Sequence, residues 1–246
     1  MDQYILVVDD WNISENLPAW GTDVARSAFY DSILSGYARD RVEWEPSSGA
    51  GEAHVARRLL SVNGRPPRPQ DQPRCTDPKL VSSEPLSIFL PSRRGEYAFS
   101  LAGAGRTDGR DAVLLEYQDA SGKKPDIKWQ DDCVSVDVPA KTRGRAWVDA
   151  DTGDVLRLDE RFAGLFDIPV PKDKQGVGIP ASMTIERYDT SIRYRQVTFS
   201  DPDETLMLPS SIETLSIVRN GGTPRLRTTQ TFSDYKRFVT NSRIVQ

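Results

Sequence analysis

The densest group of side chains able to do chemistry is "DADTGD", residues 149–154, inside the longer stretch "GRAWVDADTGDVLRLDERF". Asp149, Asp151 and Asp154 are of the right type to hold a calcium ion, and any two of them could act as a carboxylate pair. An EF-hand loop runs D-x-[DN]-x-[DN]-G-x5-E and is flanked by helices. Asp149, Asp151 and Glu160 fall on its first, third and twelfth positions, but Gly153 and Asp154 occupy the fifth and sixth in reversed order. The flanks "RAWV" and "VLRL" alternate like strands. The segment therefore reads as a hairpin turn, with Asp and Thr side chains bonding their own backbone and Gly153 supplying a positive φ.

The other candidates are sparser. His54 is the single histidine, and the two cysteines, Cys75 and Cys133, stand 58 positions apart without a CxxC spacing. A typical zinc site needs three or four ligands, so this inventory argues against one, and no cofactor is expected. On their own the cysteines allow two readings, a pair of buried thiols or a disulfide tying a proline-rich loop to the strand "CVSVDV". Asp201, Asp203 and Glu204 have metal-ligand chemistry, but Asp201-Pro202 reads as a turn entering a strand. The run from Arg219 to Arg243 carries Arg219, Arg225, Arg227, Lys236, Arg237 and Arg243 against Asp234. It suits an acidic partner or lipid headgroups, or simply the charged face of edge strands.

The elements that must position these groups are mostly strands. Apolar residues at 24, 28, 29, 33, 34 and 37 predict a helix over about 22–36, capped by Thr22 or Asp23. It runs into a strand at "RVEWE", and "HVARRLLSVNG" (54–64) is strand-like. Five prolines between 65 and 78 make an extended loop. Ser83 is placed to cap a short helix over 83–90, with Pro85 in its first turn. From Tyr97 the chain alternates almost without break, and Asp108-Gly109 and Asn220-Gly221-Gly222 mark turns. Nine or ten strands are expected between 96 and 238, with a loop over 166–181. Short connections require antiparallel neighbours, so the fold class is mainly β: one strongly curved antiparallel sheet, an unclosed half-barrel, within a single domain over 1–246. The helix over 83–90 and the N-terminal one are the available covers for its apolar face.

Alternation places Tyr97, Phe99 and Leu101 on one side of their strand, Val113, Leu115 and Tyr117 on the same side of the next, and Met183 with Ile185 in a similar set. These are core residues or, if the helices leave the sheet partly uncovered, the lining of an apolar site for an acyl chain. A filled core with a partner protein on the outer face or the sheet edge is the alternative. A carboxylate hydrolase is a third, weaker reading, and no catalytic residue is assigned.

Totals narrow the class. The chain of 246 residues is 37% hydrophobic and 28% charged, as suits a globular protein. The balance of 32 basic against 36 acidic residues gives no reason to expect a nucleic-acid partner. Apolar runs such as "YILVV" and "LSIFL" are far shorter than the ~20 residues of a membrane helix. The start "MDQYILVVDDWN" lacks the order of a signal peptide, so a cytoplasmic location is the alternative to export with a leader outside this sequence.

The stretches "VNGRPP", "EPLSIFLPSRRGEYAFSLAGAGRTDGRDAVLLEY", "RGRAWVDADTGDVLRLD", "VTFSDPDETLMLPSSIETLSIVRNGG" and "TQTFSDYKRF" resemble exported bacterial proteins of acidobacterial type. These in turn are similar to the LolA- and RseB-type periplasmic lipoprotein-binding superfamily. The resemblance spans about 54–246. It implies an unclosed barrel with helices on its concave side, a non-enzymatic role, and a lipid, lipoprotein or partner protein as ligand. The periplasmic setting it implies favours a Cys75–Cys133 disulfide. No individual binding residue carries over.

Overall fold

The computed structural model describes residues 2–14, 37–46, 53–62, 65–69, 85–130, 133–138, 141–175, 180–200, 203–220 and 225–240. The strands are β1 (Asp2–Ser14), β2 (Tyr37–Pro46), β3 (Ala53–Val62), β4 (Tyr97–Thr107), β5 (Arg110–Asp119), β6 (Asp126–Gln130), β7 (Cys133–Asp137), β8 (Thr142–Asp149), β9 (Val155–Phe162), β10 (Phe166–Pro169), β11 (Ser182–Ser200), β12 (Asp203–Arg219) and β13 (Arg225–Thr240). Eleven of them form one sheet in the order β3-β2-β1-β13-β12-β11-β9-β8-β5-β4, with β10 paired to the side of β11. All pairings are antiparallel, and the end strands β3 and β4 do not pair, so the sheet is an unclosed half-barrel.

Local chemistry sets the hairpins. Asp108 (φ 48°) and Gly109 (φ 81°) both take the left-handed conformation that a two-residue turn between twisted strands requires. At 149–154, Asp149 Oδ1 accepts from the backbone N–H groups of Asp151 (2.9 Å) and Thr152 (2.8 Å), and Gly153 sits at φ 77°. The Asp149 N–H donates to the Asp154 carbonyl at 2.8 Å, closing the hairpin of β8 and β9.

Four expectations need correction. β6 and β7 leave the main sheet and pair only with each other, because a hairpin's local signals say nothing about which sheet it joins. Alternation divides 182–200 into "SMTIERYD" and "IRYRQVTF", and 203–219 into "TLMLP" and "IETLSIVRN", but each run is a single long strand, and Pro209 sits inside β12. Its missing N–H is tolerated because the register shifts there, with Tyr194 opposite Pro209, Arg193 opposite Ser211 and Ser210 left over. The loop over 166–181 contains β10 and a 3-10 turn at Lys172–Lys174. The helix over 83–90 is instead two 3-10 turns, Pro85–Phe89 and Pro91–Glu96. The helix over 22–36 and the Ser83 cap lie outside the described residues.

The core lies on one face. A row in register crosses Leu115, Ala146, Leu158, Ile192, Ile212 and Gln230. Ala146, Leu158, Ile192, Ile212 and Gln230 are each at most 1% exposed. Ile88, from the first 3-10 turn, packs into the same cluster with Tyr117, Tyr194 and Phe232. That short turn is thus a cover for the apolar face, as expected of this segment.

Candidate functional site

The apolar candidates separate into two groups. Phe99 faces Tyr117 and Leu101 faces Leu115 in register, while Val113 lies opposite Ala104 beyond a bulge. Tyr97, Phe99 and Tyr117 form a ring cluster, with centroids 6.0 Å apart for Tyr97–Tyr117 and 6.1 Å for Phe99–Tyr117. Phe89 stacks on Phe99 at 5.8 Å. The cluster is not fully covered: Leu101 is 72% exposed, Leu90 51% and Phe99 37%. Met183 and Ile185 lie at the start of β11, opposite Ile168 and Phe166. They are not among the described residues packed on the central core.

Tyr117 anchors this end. It is 3% exposed, and its ring crosses the position a side chain at residue 144 would occupy. Its hydroxyl donates to Glu160 Oε2 at 3.0 Å. Burial raises the Glu160 carboxyl above the ordinary range, an effect moderated by the Tyr117 hydrogen bond. Burial, reinforced by the Glu160 charge, pushes the Tyr117 phenol far above its usual value. The continuation of this row across the sheet is Thr190, Thr214 and Thr228, all buried. Glu160 is thus a buried carboxylate held by Tyr117 and set in register with Thr190 on the next strand.

The opposite face is charged and hollowed into a groove of about 760 Å³ running from β4 to β13. One row in register is Glu116, Arg145, Asp159, Ser191 and Glu213; the next is Gln118, Arg143, Arg161, Asp189, Leu215 and Arg227. Arg157 bonds Asp159 at 2.8 Å, Arg227 bonds Glu213 at 2.8 Å, and Arg145 bonds Glu116. The Arg145 contact holds the Glu116 carboxyl low, with Arg161 adding to it from farther away. Trp147 lies between two guanidiniums, Arg157 at 4.7 Å and Arg145 at 5.8 Å from its ring centre.

Sequence reasoning weighed only Arg225 and Arg227 of these charges, as part of the C-terminal basic run, and missed the groove. The signal was available within one hairpin: a turn at 150–153 places Arg143 opposite Arg161 and sends 143, 145 and 147 to the same side as 157, 159 and 161. Leu156, the extra residue of the bulge between β8 and β9, is buried instead.

The remaining candidates resolve as follows. Asp149 is a turn residue: it holds two backbone N–H groups and an ion pair to Arg110 Nε at 2.6 Å. Those N–H groups, and then Arg110, lower its carboxyl. Among the described residues no group of three His, Cys, Asp or Glu could hold a metal. Asp203 and Glu204 open β12, and Asp201 lies outside the described residues. His54 sits on β3 opposite Glu45. Cys75 and the Cys133 side chain fall outside the described residues, and with them the disulfide. Of the C-terminal basic run, Arg219 pairs with Glu186, while Arg225 and Arg227 line the groove.

No protein-family model and no curated protein matches the chain. Among solved structures it is similar to a DUF1329 family protein from Desulfovibrio piger, at 14% identity over 98% of this chain and 87% of that one, with a TM-score of 0.38. A domain from Vibrio parahaemolyticus, provisionally named an outer membrane lipoprotein-sorting protein, gives 9%, 98%, 87% and 0.38. A LolA superfamily protein from Nitrosomonas europaea gives 10%, 95%, 85% and 0.33. These likenesses transfer no residue and no activity to this chain.

Proposed function

We propose that the chain is a non-enzymatic binding protein of the periplasm, or otherwise exported, that takes an acyl chain, lipid or lipoprotein on its apolar face at the β4–β5 end. One observation carries this reading: large apolar side chains stay exposed at the rim of the core, Leu101 at 72% and Phe99 at 37%, two residues apart on β4, with Phe89 stacked on Phe99. Contiguous exposed apolar surface of this kind marks binding sites. The sequence resemblance over 54–246 supports the same reading. Val113, Leu115 and Tyr117 would form the floor, Tyr97, Phe99 and Leu101 the rim; Met183 and Ile185 would extend the site only for a long chain.

Native mass spectrometry of the purified protein and displacement of a fluorescent fatty-acid probe test this. Leu101→Asp is expected to weaken probe binding about tenfold or more, since burying a leucine is worth ~1.5–3 kcal/mol. If no lipid co-purifies and nothing displaces the probe, the reading fails.

A second reading, a protein-interaction module without a lipid, draws on β4. It is an end strand of the sheet with nearly every residue exposed over Tyr97–Thr107. Such an edge accepts an added strand. New amide protection along β4 on mixing with a partner, without probe displacement, would favour it.

A further inference from the structure

We infer that the charged face carries an oxyanion site, distinct from the apolar one, in which Arg143 and Arg161 hold a phosphate-type group. The two arginines are directly opposed on β8 and β9, and like charges in that position destabilise a sheet. Every carboxylate lining the groove already has another partner. Glu116 takes Arg145, Asp159 takes Arg157 and the Ser191 hydroxyl, and Glu213 takes Arg227; Glu160, at the groove's edge, turns to the other face of β9 and accepts from Tyr117. Asp189, the residue in register with Arg161, is held by Arg187 at 2.5 Å. Arg143 and Arg161 form no ion pair among the described residues, and neither does Arg225, which lines the same groove from β13.

A fold that pairs Arg145, Arg157, Arg187 and Arg227 yet leaves Arg143 and Arg161 in opposition has a local excess of positive charge inside a concavity. Side chains opposed across two strands start ~5 Å apart at Cβ, so two guanidiniums can converge on one oxyanion. Their planar forks match a phosphate bidentately. The groove, at about 760 Å³, is much larger than phosphate alone and fits a ligand of which phosphate is one part. That phosphate belongs either to a soluble metabolite or to a lipid headgroup; the chemistry recognised is the same.

The test uses the full chain at fixed ionic strength. Inorganic phosphate is titrated while thermal stability and binding heat are followed, and in parallel the protein is floated with vesicles of phosphatidylcholine with or without phosphatidylglycerol. The variants are Arg143→Gln/Arg161→Gln, Arg143→Lys/Arg161→Lys, and the control Arg106→Gln, an exposed arginine paired with Asp111 away from the groove. The wild type and the control are expected to bind at least one probe. Each glutamine should weaken binding by about tenfold, as for loss of a charged hydrogen-bonding partner. The lysine variant should fall between, because it keeps the charge and loses the fork. Binding of free phosphate assigns a soluble source, and binding of phosphatidylglycerol vesicles alone assigns a headgroup; either supports the site. The inference is overturned if the wild type binds neither probe. It also fails if the glutamine variant binds as tightly as wild type, or if Arg106→Gln weakens binding equally. Without ligand the glutamine variant should melt at or above the wild-type temperature, since a repulsion is removed; a lower melting temperature would mark the pair as structural and sink the proposal.

Discussion

Gly144→Ala, a single added methyl group, should be among the most damaging changes in the described fold. A Cβ at residue 144 would stand 2.0 Å from Tyr117 Cζ, 2.2 Å from its Oη and 2.3 Å from Cε1. Carbon–carbon contact is comfortable only at ~3.5–4.0 Å, so the ring must retreat by roughly 1.5 Å or more. It has nowhere to go within the cluster, since Tyr97 and Phe99 flank it at 6.0 and 6.1 Å between ring centres. Displacing it gives up part of the burial of a large aromatic side chain, its ring contacts, and the hydrogen bond at 3.0 Å to Glu160. Together these amount to about 3 kcal/mol. Replacing glycine in a strand returns ~0.5–1 kcal/mol, leaving a net loss of about 2 kcal/mol. Urea denaturation with an unchanged slope measures it. In a Tyr117→Ala background the same substitution should cost nothing, or stabilise slightly, because the ring is gone. Additive losses in the double mutant, or a Gly144→Ala midpoint within error of wild type, would refute the reasoning.

Two further outcomes follow from buried polar groups on the same face. The Tyr194 hydroxyl is buried and makes no hydrogen bond among the described residues, so Tyr194→Phe should raise stability by about 1 kcal/mol, read as a shift in urea midpoint; a loss of stability would refute this. Glu160→Gln keeps an acceptor for Tyr117 and removes a charge that burial disfavours. Because the folded-state pKa of Glu160 is raised, its contribution is most favourable below the unfolded carboxyl value of ~4.3 and is lost as pH climbs from there through the folded value. Glu160→Gln should therefore be more stable than wild type at pH 7, with the gap closing toward pH 4. A gap that widens on acidification contradicts the burial argument.

Much of the sheet was legible in the sequence because its hairpins announce themselves locally. Asp108-Gly109 and the Asp149–Gly153 turn fix two registers, and those registers bring Tyr97, Phe99, Leu101, Leu115 and Tyr117 together as alternation predicts. The part that was not legible depends on distant pairing. β1 carries no turn signal toward its neighbour β13, more than two hundred residues away, so its place in the middle of the sheet is a tertiary fact. The separation of β6 and β7 is similar, since their own pairing satisfies every local rule. The groove was missed for a different reason. Charged residues at alternate positions look like a solvated surface on each strand, and become a site only when seven strands are aligned and the paired charges are subtracted.

The alternation that builds the sheet also makes the two proposed sites separable. On β8, Gly144 turns toward Tyr117 while Arg143 and Arg145 turn to the groove; on β9, Glu160 and Arg161 divide in the same way. Neighbouring residues thus serve opposite faces, with the backbone sheet between them. Leu101 stands opposite Leu115, whereas Arg143 stands opposite Gln118 and Arg161, so the effects of Leu101→Asp and Arg143→Gln/Arg161→Gln on the acyl probe and on phosphate should be independent if the sheet is rigid. If the acyl probe and phosphate instead alter each other's affinity, the route runs through the backbone shared by Gly144 and Arg143. A ligand that shifts Tyr117 on one face would then change how the two arginines meet on the other. By linkage the coupling would have to be equal in both directions, so one titration of the probe with and without phosphate, and its converse, decides whether the faces act as two sites or as one.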